Sequence, residues 1–106
     1  MTESSQDVDI IGFLFVMEGN DKGEIIKLFS GRNTLGTSPE CSIILNDPGV
    51  SAKHASIRYG EDEDYVIRDL DSKNGTFVNG EEVITGKLQE NDVILIGDSK
   101  LKFKML

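Results

Sequence analysis

An all-β sandwich is the fold class this sequence predicts, on three observations. Short apolar runs are separated by Gly, Asn, Asp and Ser at intervals of about eight to twelve residues, the spacing of strands and turns. Lys100-Leu101-Lys102-Phe103-Lys104-Met105 and Ala55-Ser56-Ile57-Arg58-Tyr59 alternate with period two, so each has one wet and one buried face. No segment carries an apolar 3.6-residue repeat, and almost no helix is expected.

In chain order, residues 1–9 are polar, acidic and rich in Ser and Thr, with too little apolar content to fold. They are expected to be a disordered lead-in to one domain over residues 10–106. Strands are expected at 10–17, 23–29, 32–35, 42–45, 54–59, 65–69, 76–78, 92–96 and 101–105, with short pairings near 82–83 and 87–88. The first is apolar throughout apart from Gly12, and the strands at 54–59 and 101–105 hold the two alternating stretches. Gly, Asn, Asp and Ser punctuate the chain between them, Asn79-Gly80 among them. The run Glu61-Asp62-Glu63-Asp64 falls between two strands, where like charges cannot pack, and reads as an exposed hairpin loop.

At 106 residues the chain has room for one core and no second. A hydrophobic content of 38% with 28% charged residues fits a soluble globular domain. The apolar run at 10–17 falls well short of the roughly 20 residues a membrane helix needs, so no membrane partner is expected. Residues 1–7 have no basic residue leading an apolar run, so no secretory signal is read and a cytoplasmic location is expected. The lone Cys41 has no internal partner and no Cys or His cluster that would hold zinc, so no metal or cofactor is expected. It reads instead as a small buried apolar residue at the start of a strand. The net charge of −8 argues against nucleic acid, whose binding rests on Lys and Arg neutralising phosphates.

Two short polar loops, each feeding an apolar strand, concentrate the candidate chemistry: Ser51-Ala52-Lys53-His54-Ala55 and Asn74-Gly75-Thr76-Phe77-Val78-Asn79-Gly80. Together with Leu35-Gly36-Thr37-Ser38-Pro39-Glu40-Cys41-Ser42-Ile43-Ile44-Leu45, and over roughly residues 11–105, the chain resembles a bacterial-type forkhead-associated (FHA) domain. That family reads phosphothreonine in partner proteins. The resemblance implies two packed, mainly antiparallel sheets of about eleven strands with the ligand loops at one end. It also implies a non-enzymatic interaction module of Ser/Thr kinase signalling, often the regulatory part of a larger protein.

By that resemblance, Ser51 matches the serine that donates its hydroxyl to phosphate, and His54 the histidine that braces the loop internally. Ala52 stands where an Arg often follows the serine, leaving Lys53 as the nearest positive charge. Asn74 matches the asparagine that hydrogen-bonds the peptide backbone beside the phosphothreonine, a task that suits an amide's paired donor and acceptor. Lys73 stands where a hydroxyl residue often also touches phosphate, and a lysine there would supply a point charge. Gly36, Gly75, Thr76, Asn79 and Gly80 are assigned structural parts at the ligand end, Asn79-Gly80 as a hairpin turn.

The chain departs from the family at Thr37, where the phosphate-binding arginine belongs, and at Ser42, where an aspartate is common. Arg32, five residues before Thr37, cannot be matched without breaking the register of the following strand. Losing a charge-assisted hydrogen bond costs about 1.5–3 kcal/mol, roughly ten- to a hundredfold in affinity.

Other readings stand beside this one. Ser51 reads equally as a turn serine bonding its own loop, and Asn74-Gly75 as a tight-turn pair. A domain of this type that docks proteins without phosphate is the alternative that Thr37 and the acidic charge favour. A Ser51–His54 hydrolase dyad lacks an elbow motif such as Gly-x-Ser-x-Gly. A phosphorylated Thr2 in the acidic segment with Ser4 and Ser5 would be able to fold back into the ligand end as an inhibitory switch.

Overall fold

The computed structural model describes residues 9–106. The expectations for residues 1–8, including the switch at Thr2, lie outside the described residues. Eleven strands follow in order: β1 Ile10–Glu18, β2 Ile25–Phe29, β3 Gly31–Gly36, β4 Ile43–Ile44, β5 Ala55–Tyr59, β6 Tyr65–Asp69, β7 Thr76–Val78, β8 Glu81–Glu82, β9 Thr85–Lys87, β10 Val93–Ile96 and β11 Ser99–Met105. There is no helix among the described residues.

The strands form a six-stranded sheet in the order β2-β1-β11-β10-β7-β8 and a five-stranded sheet in the order β4-β3-β5-β6-β9. All pairs are antiparallel except β3 with β4. Period-two alternation then decides what is buried. In β11, Leu101 and Phe103 face inward while Lys100, Lys102 and Lys104 face solvent; in β5, Ala55 and Ile57 face inward and Arg58 outward. Leu14, Leu28, Ile94, Ile96, Leu101 and Phe103 of one sheet meet Leu35, Ile57 and Ile67 of the other in a single core. Tyr65 crosses between the layers: its ring packs on Tyr59 and Phe103 and its hydroxyl donates to the Ile11 carbonyl at 2.7 Å. Burial there pushes the phenol's pKa up, so the donor stays protonated.

Strand boundaries differ from the sequence reading where side chains capture the backbone. The expected strand at 42–45 shrinks to two residues because Ser42 is held by Thr34: the Thr34 amide donates to Ser42 Oγ at 2.8 Å and the Ser42 amide to Thr34 Oγ1 at 3.0 Å. The strand expected at 23–29 begins at Ile25, since Gly23 sits at φ +97° in a turn that donates its amide to the Val16 carbonyl at 2.9 Å. The loop at Glu61-Asp62-Glu63-Asp64 joins β5 to β6 as expected.

Register sets which loops meet. Leu35 pairs with Ala55 and Ala55 with Asp69, while Ile96 pairs with both Thr76 and Ser99. The ends of β3, β4, β6 and β10 and the starts of β5, β7 and β11 therefore lie at one end of the sandwich.

Candidate functional site

At that end the chain between β4 and β5 carries Ser51, and three of its polar groups are already committed. Its amide donates to His54 Nδ1 at 3.0 Å, its carbonyl accepts from the Thr37 amide at 3.1 Å, and its hydroxyl oxygen accepts from the Lys73 amide at 2.9 Å. The hydroxyl proton is the group left over, and Ser51 is half-buried, so that proton is available to a ligand.

His54 is fully buried between the two polar loops. Its Nδ1 accepts from Ser51, so the proton lies on Nε2, which donates to the Gly75 carbonyl at 2.8 Å. Both ring nitrogens are thereby used on backbone groups. No imidazole nitrogen is aimed at the Ser51 hydroxyl, which removes the geometric basis of a hydrolase dyad.

The second loop runs from β6 to β7. Asn74 donates from Nδ2 to the Gly49 carbonyl at 2.9 Å, which fixes the amide against the first loop. It is exposed, with its Oδ1 and second N–H facing no described partner. Lys73 is exposed and in no ion pair among the described residues, whereas Lys53 lies 3.4 Å from Glu40, both well solvated. Gly75 takes φ +90°, a backbone state that favours glycine.

The third loop follows β3. Thr37 is half-buried and contributes its backbone amide to Ser51; no described residue hydrogen-bonds its side chain. Gly36 has no room for a side chain, because a Cβ would sit 2.0 Å from the Ala52 carbonyl oxygen. That carbonyl accepts from the Ser38 amide at 3.1 Å and from Cys41 Sγ at 3.2 Å, leaving the exposed Ala52 methyl outside. Cys41 is buried, as its sequence context suggested.

Two carboxylates that the sequence reading did not single out hold these loops. Asp47 is 5% exposed, and it accepts from the Gly49 amide at 2.8 Å, the Asp98 amide at 2.8 Å and Ser99 Oγ at 2.7 Å. Burial by itself would raise its pKa, but the Ser99 hydroxyl and the Gly49, Asp98 and Ser99 amides outweigh that and hold it below the ordinary carboxylate value. Asp69 accepts from the Ser72 amide and hydroxyl and from Thr76 Oγ1 at 2.7 Å, and Ser72 Oγ in turn accepts from the Gly75 amide at 2.9 Å. Burial again opposes ionisation and is outweighed by the Ser72 and Thr76 hydroxyls, the Ser72 amide and His54, so this pKa too is lowered.

The signal for these residues was present but local. Asp47 two positions before Gly49, and Asp69 three before Ser72, are side chains that bond their own following turn. Nothing nearby announces that Asp47 reaches Ser99, 52 residues on.

One placement needs correction. Asn79 and Gly80 do not lie at the ligand end: Thr76 pairs with Ile96 but Val78 with Ile94, so the turn after β7 is at its far end. There Asn79, at φ +52°, ties the turn to β10 by donating from Nδ2 to Asp92 at 2.9 Å and accepting the Val93 amide at 2.9 Å. Asn-Gly chemistry fixes the turn but not which end of the sheet it closes. Arg32 lies on β3 opposite Arg58, away from Thr37 along the strand.

Comparison with known proteins agrees with this architecture. Residues 31–97 match the FHA domain family. The chain is similar to the oxoglutarate dehydrogenase inhibitor of Corynebacterium efficiens, 40% identical over 90 residues that cover 85% of this chain and 63% of that protein. It is also similar to the glycogen accumulation regulator GarA of Mycobacterium tuberculosis, 34% identical over 90 residues covering 85% of this chain and 55% of that protein. The chain thus spans less than two thirds of the length of these relatives. Among solved structures, one titled for phosphothreonine-dependent FHA domain interactions superposes with a TM-score of 0.83 at 32% identity, covering 91% of this chain and 97% of that one. The FhaA FHA domain complexed with the intracellular domain of Rv3910 superposes with a TM-score of 0.80 at 32% identity, covering 88% and 99%. By sequence and by fold, the chain belongs to the FHA domain family.

Proposed function

We propose that this domain is a phosphothreonine-dependent protein-interaction module of Ser/Thr kinase signalling, with Ser51 as the phosphate donor and Asn74 as the reader of the adjacent peptide backbone. The observation that carries the proposal is the state of Ser51. The Lys73 amide is bonded to its oxygen, which leaves the O–H proton without a described acceptor and able to donate to a ligand. A phosphothreonine carries a charge near −2 and three strong acceptor oxygens, and needs such donors. The positive charge comes from Lys73, with Lys53 second because Glu40 partly neutralises it. Thr37 supplies a backbone amide to the frame and no guanidinium.

Names of relatives support the same reading: they are an inhibitor and a regulator, and one solved neighbour is described by phosphothreonine-dependent FHA domain interactions. The domain acts as the non-catalytic, regulatory part of a larger cytoplasmic protein, its partner made recognisable by a Ser/Thr kinase. Intramolecular capture of a phosphorylated Thr2 is a second use of the same loops.

The test is binding of a degenerate phosphothreonine peptide pool against its unphosphorylated twin, with Ser51→Ala as control. A preference for the phosphorylated pool that disappears in Ser51→Ala is expected. Equal binding of both pools would instead favour phosphate-independent docking, the reading that the missing guanidinium at Thr37 supports.

A further inference from the structure

The chain contains three arginines among its 11 basic residues, Arg32, Arg58 and Arg68, and all three stand on one surface. They lie on the outer face of β3, β5 and β6. Register places Arg32 opposite Arg58, Arg58 opposite Val66, and Val66 opposite Lys87, while the next row pairs Thr34 with Ser56 and Ser56 with Arg68. Arg58 and Arg68 are thus diagonal neighbours, at a separation of about 7–8 Å between backbones. They line an open groove of about 1030 Å³ with Ser56, Tyr59 and Val66.

Three features of this face lack a structural rationale. Like charges directly opposed on an antiparallel pair destabilise it, yet Arg32 and Arg58 are so opposed. No arginine takes part in an ion pair among the described residues, although Glu61, Asp62 and Asp64 border the same groove. Ser56 is 5% exposed, lines the groove, and has a hydroxyl that no described residue hydrogen-bonds. Buried hydroxyls ordinarily find a partner, and this one is left facing the arginines.

We propose that the β3-β5-β6 face is a second docking surface, separate from the loop end, for an extended carboxylate-rich segment of a protein partner. Guanidinium forks match carboxylates in a bidentate way, and an extended peptide places alternate side chains about 6.6–6.8 Å apart, close to the spacing of Arg58 and Arg68. Discrete carboxylates set between neutral residues suit a groove bordered by Glu61, Asp62 and Asp64. A continuous run of phosphates carries a higher charge density than spaced carboxylates and would meet the stronger repulsion from these side chains and from the overall charge of −8. Half-buried Val66, on the same outer face, accommodates the intervening apolar atoms.

The proposal is tested on the whole chain with a fluorescein-labelled peptide of alternating Glu and Ala, containing no Ser or Thr, read by anisotropy at low and physiological salt. Binding is expected to weaken with salt, to fall about tenfold in Arg58→Ala and further in Arg32→Ala/Arg58→Ala, and to be unchanged in Ser51→Ala. The same Arg58→Ala protein is expected to melt no lower than the parent, because a like-charge pair is relieved. Absence of peptide binding, equal binding by the double variant, displacement of the peptide by a single-stranded oligonucleotide at lower concentration, or a melting temperature several degrees below the parent would each overturn it. Failure of phosphothreonine binding at the loops would leave these readouts unaffected.

Discussion

His54 lies between Ser51 and Gly75 so that its ring accepts one loop's amide at Nδ1 and donates to the other loop's carbonyl at Nε2, 3.0 and 2.8 Å away. The two loops are therefore bridged by one fully buried side chain, alongside the Lys73–Ser51 and Asn74–Gly49 hydrogen bonds. His54→Ala leaves a cavity and unpairs two backbone groups, and is expected to lower stability by about 2–5 kcal/mol. Urea unfolding would measure this. A midpoint within error of the parent would mean that the ring is dispensable.

Thr37 is where added affinity should be easiest to obtain. Its side chain is in no hydrogen bond among the described residues, and its amide contact with Ser51 survives any substitution but proline. Thr37→Arg is expected to tighten phosphothreonine peptide binding by about ten- to a hundredfold, with the unphosphorylated peptide unaffected. Titration calorimetry of both peptides separates a phosphate contact from a general charge effect.

Acid should loosen the loop end. Asp47 and Asp69 have pKa values below the ordinary 3.8 in the folded chain, to which an unfolded chain returns them. The stability they contribute is fully present above that value and is lost as pH falls through the lower folded values. Urea midpoints are expected to be insensitive to these groups between pH 5 and 7 and to fall below about pH 4. In Asp47→Asn the neutral-pH stability should be reduced and the acid-dependent loss shallower. An unaltered acid limb in that variant would assign the effect to other carboxylates.

Gly36→Ala should be among the most damaging small substitutions in the chain. The added methyl meets a backbone carbonyl at 2.0 Å and Cys41 Sγ at 2.9 Å, and a carbonyl cannot rotate aside as a side chain would. A loss of about 1–3 kcal/mol or more is expected, a fall of several degrees in melting temperature. Gly80→Ala, at φ +87° but with open space around it, probes strain without the clash.

The strands at 65–69 and 76–78 have the boundaries that their sequence implied, because alternation and turn residues are local signals. The short strand at Ile43–Ile44 was over-read, since apolar residues there do not reveal that Ser42 bonds Thr34 across the strand pair. At the candidate site, Ser51, His54 and Asn74 are drawn together by hydrogen bonds spanning 21 to 25 residues from the second loop to the first. Motif resemblance suggested that meeting, and spacing alone did not. The Asp47–Ser99 contact and the far-end position of Asn79 depend on strand order, which no local pattern encodes.

Thr37, Ala52 and Lys73 keep their positions through amides and carbonyls that nearly any residue provides, whereas Gly36, His54, Asp47 and Asp69 hold theirs by side-chain chemistry or by its absence. The site thus has a rim of interchangeable side chains on a frame that depends on particular ones. A change of side chain at the rim alters what the loop end presents in a single step and leaves the hydrogen bonds of the frame in place.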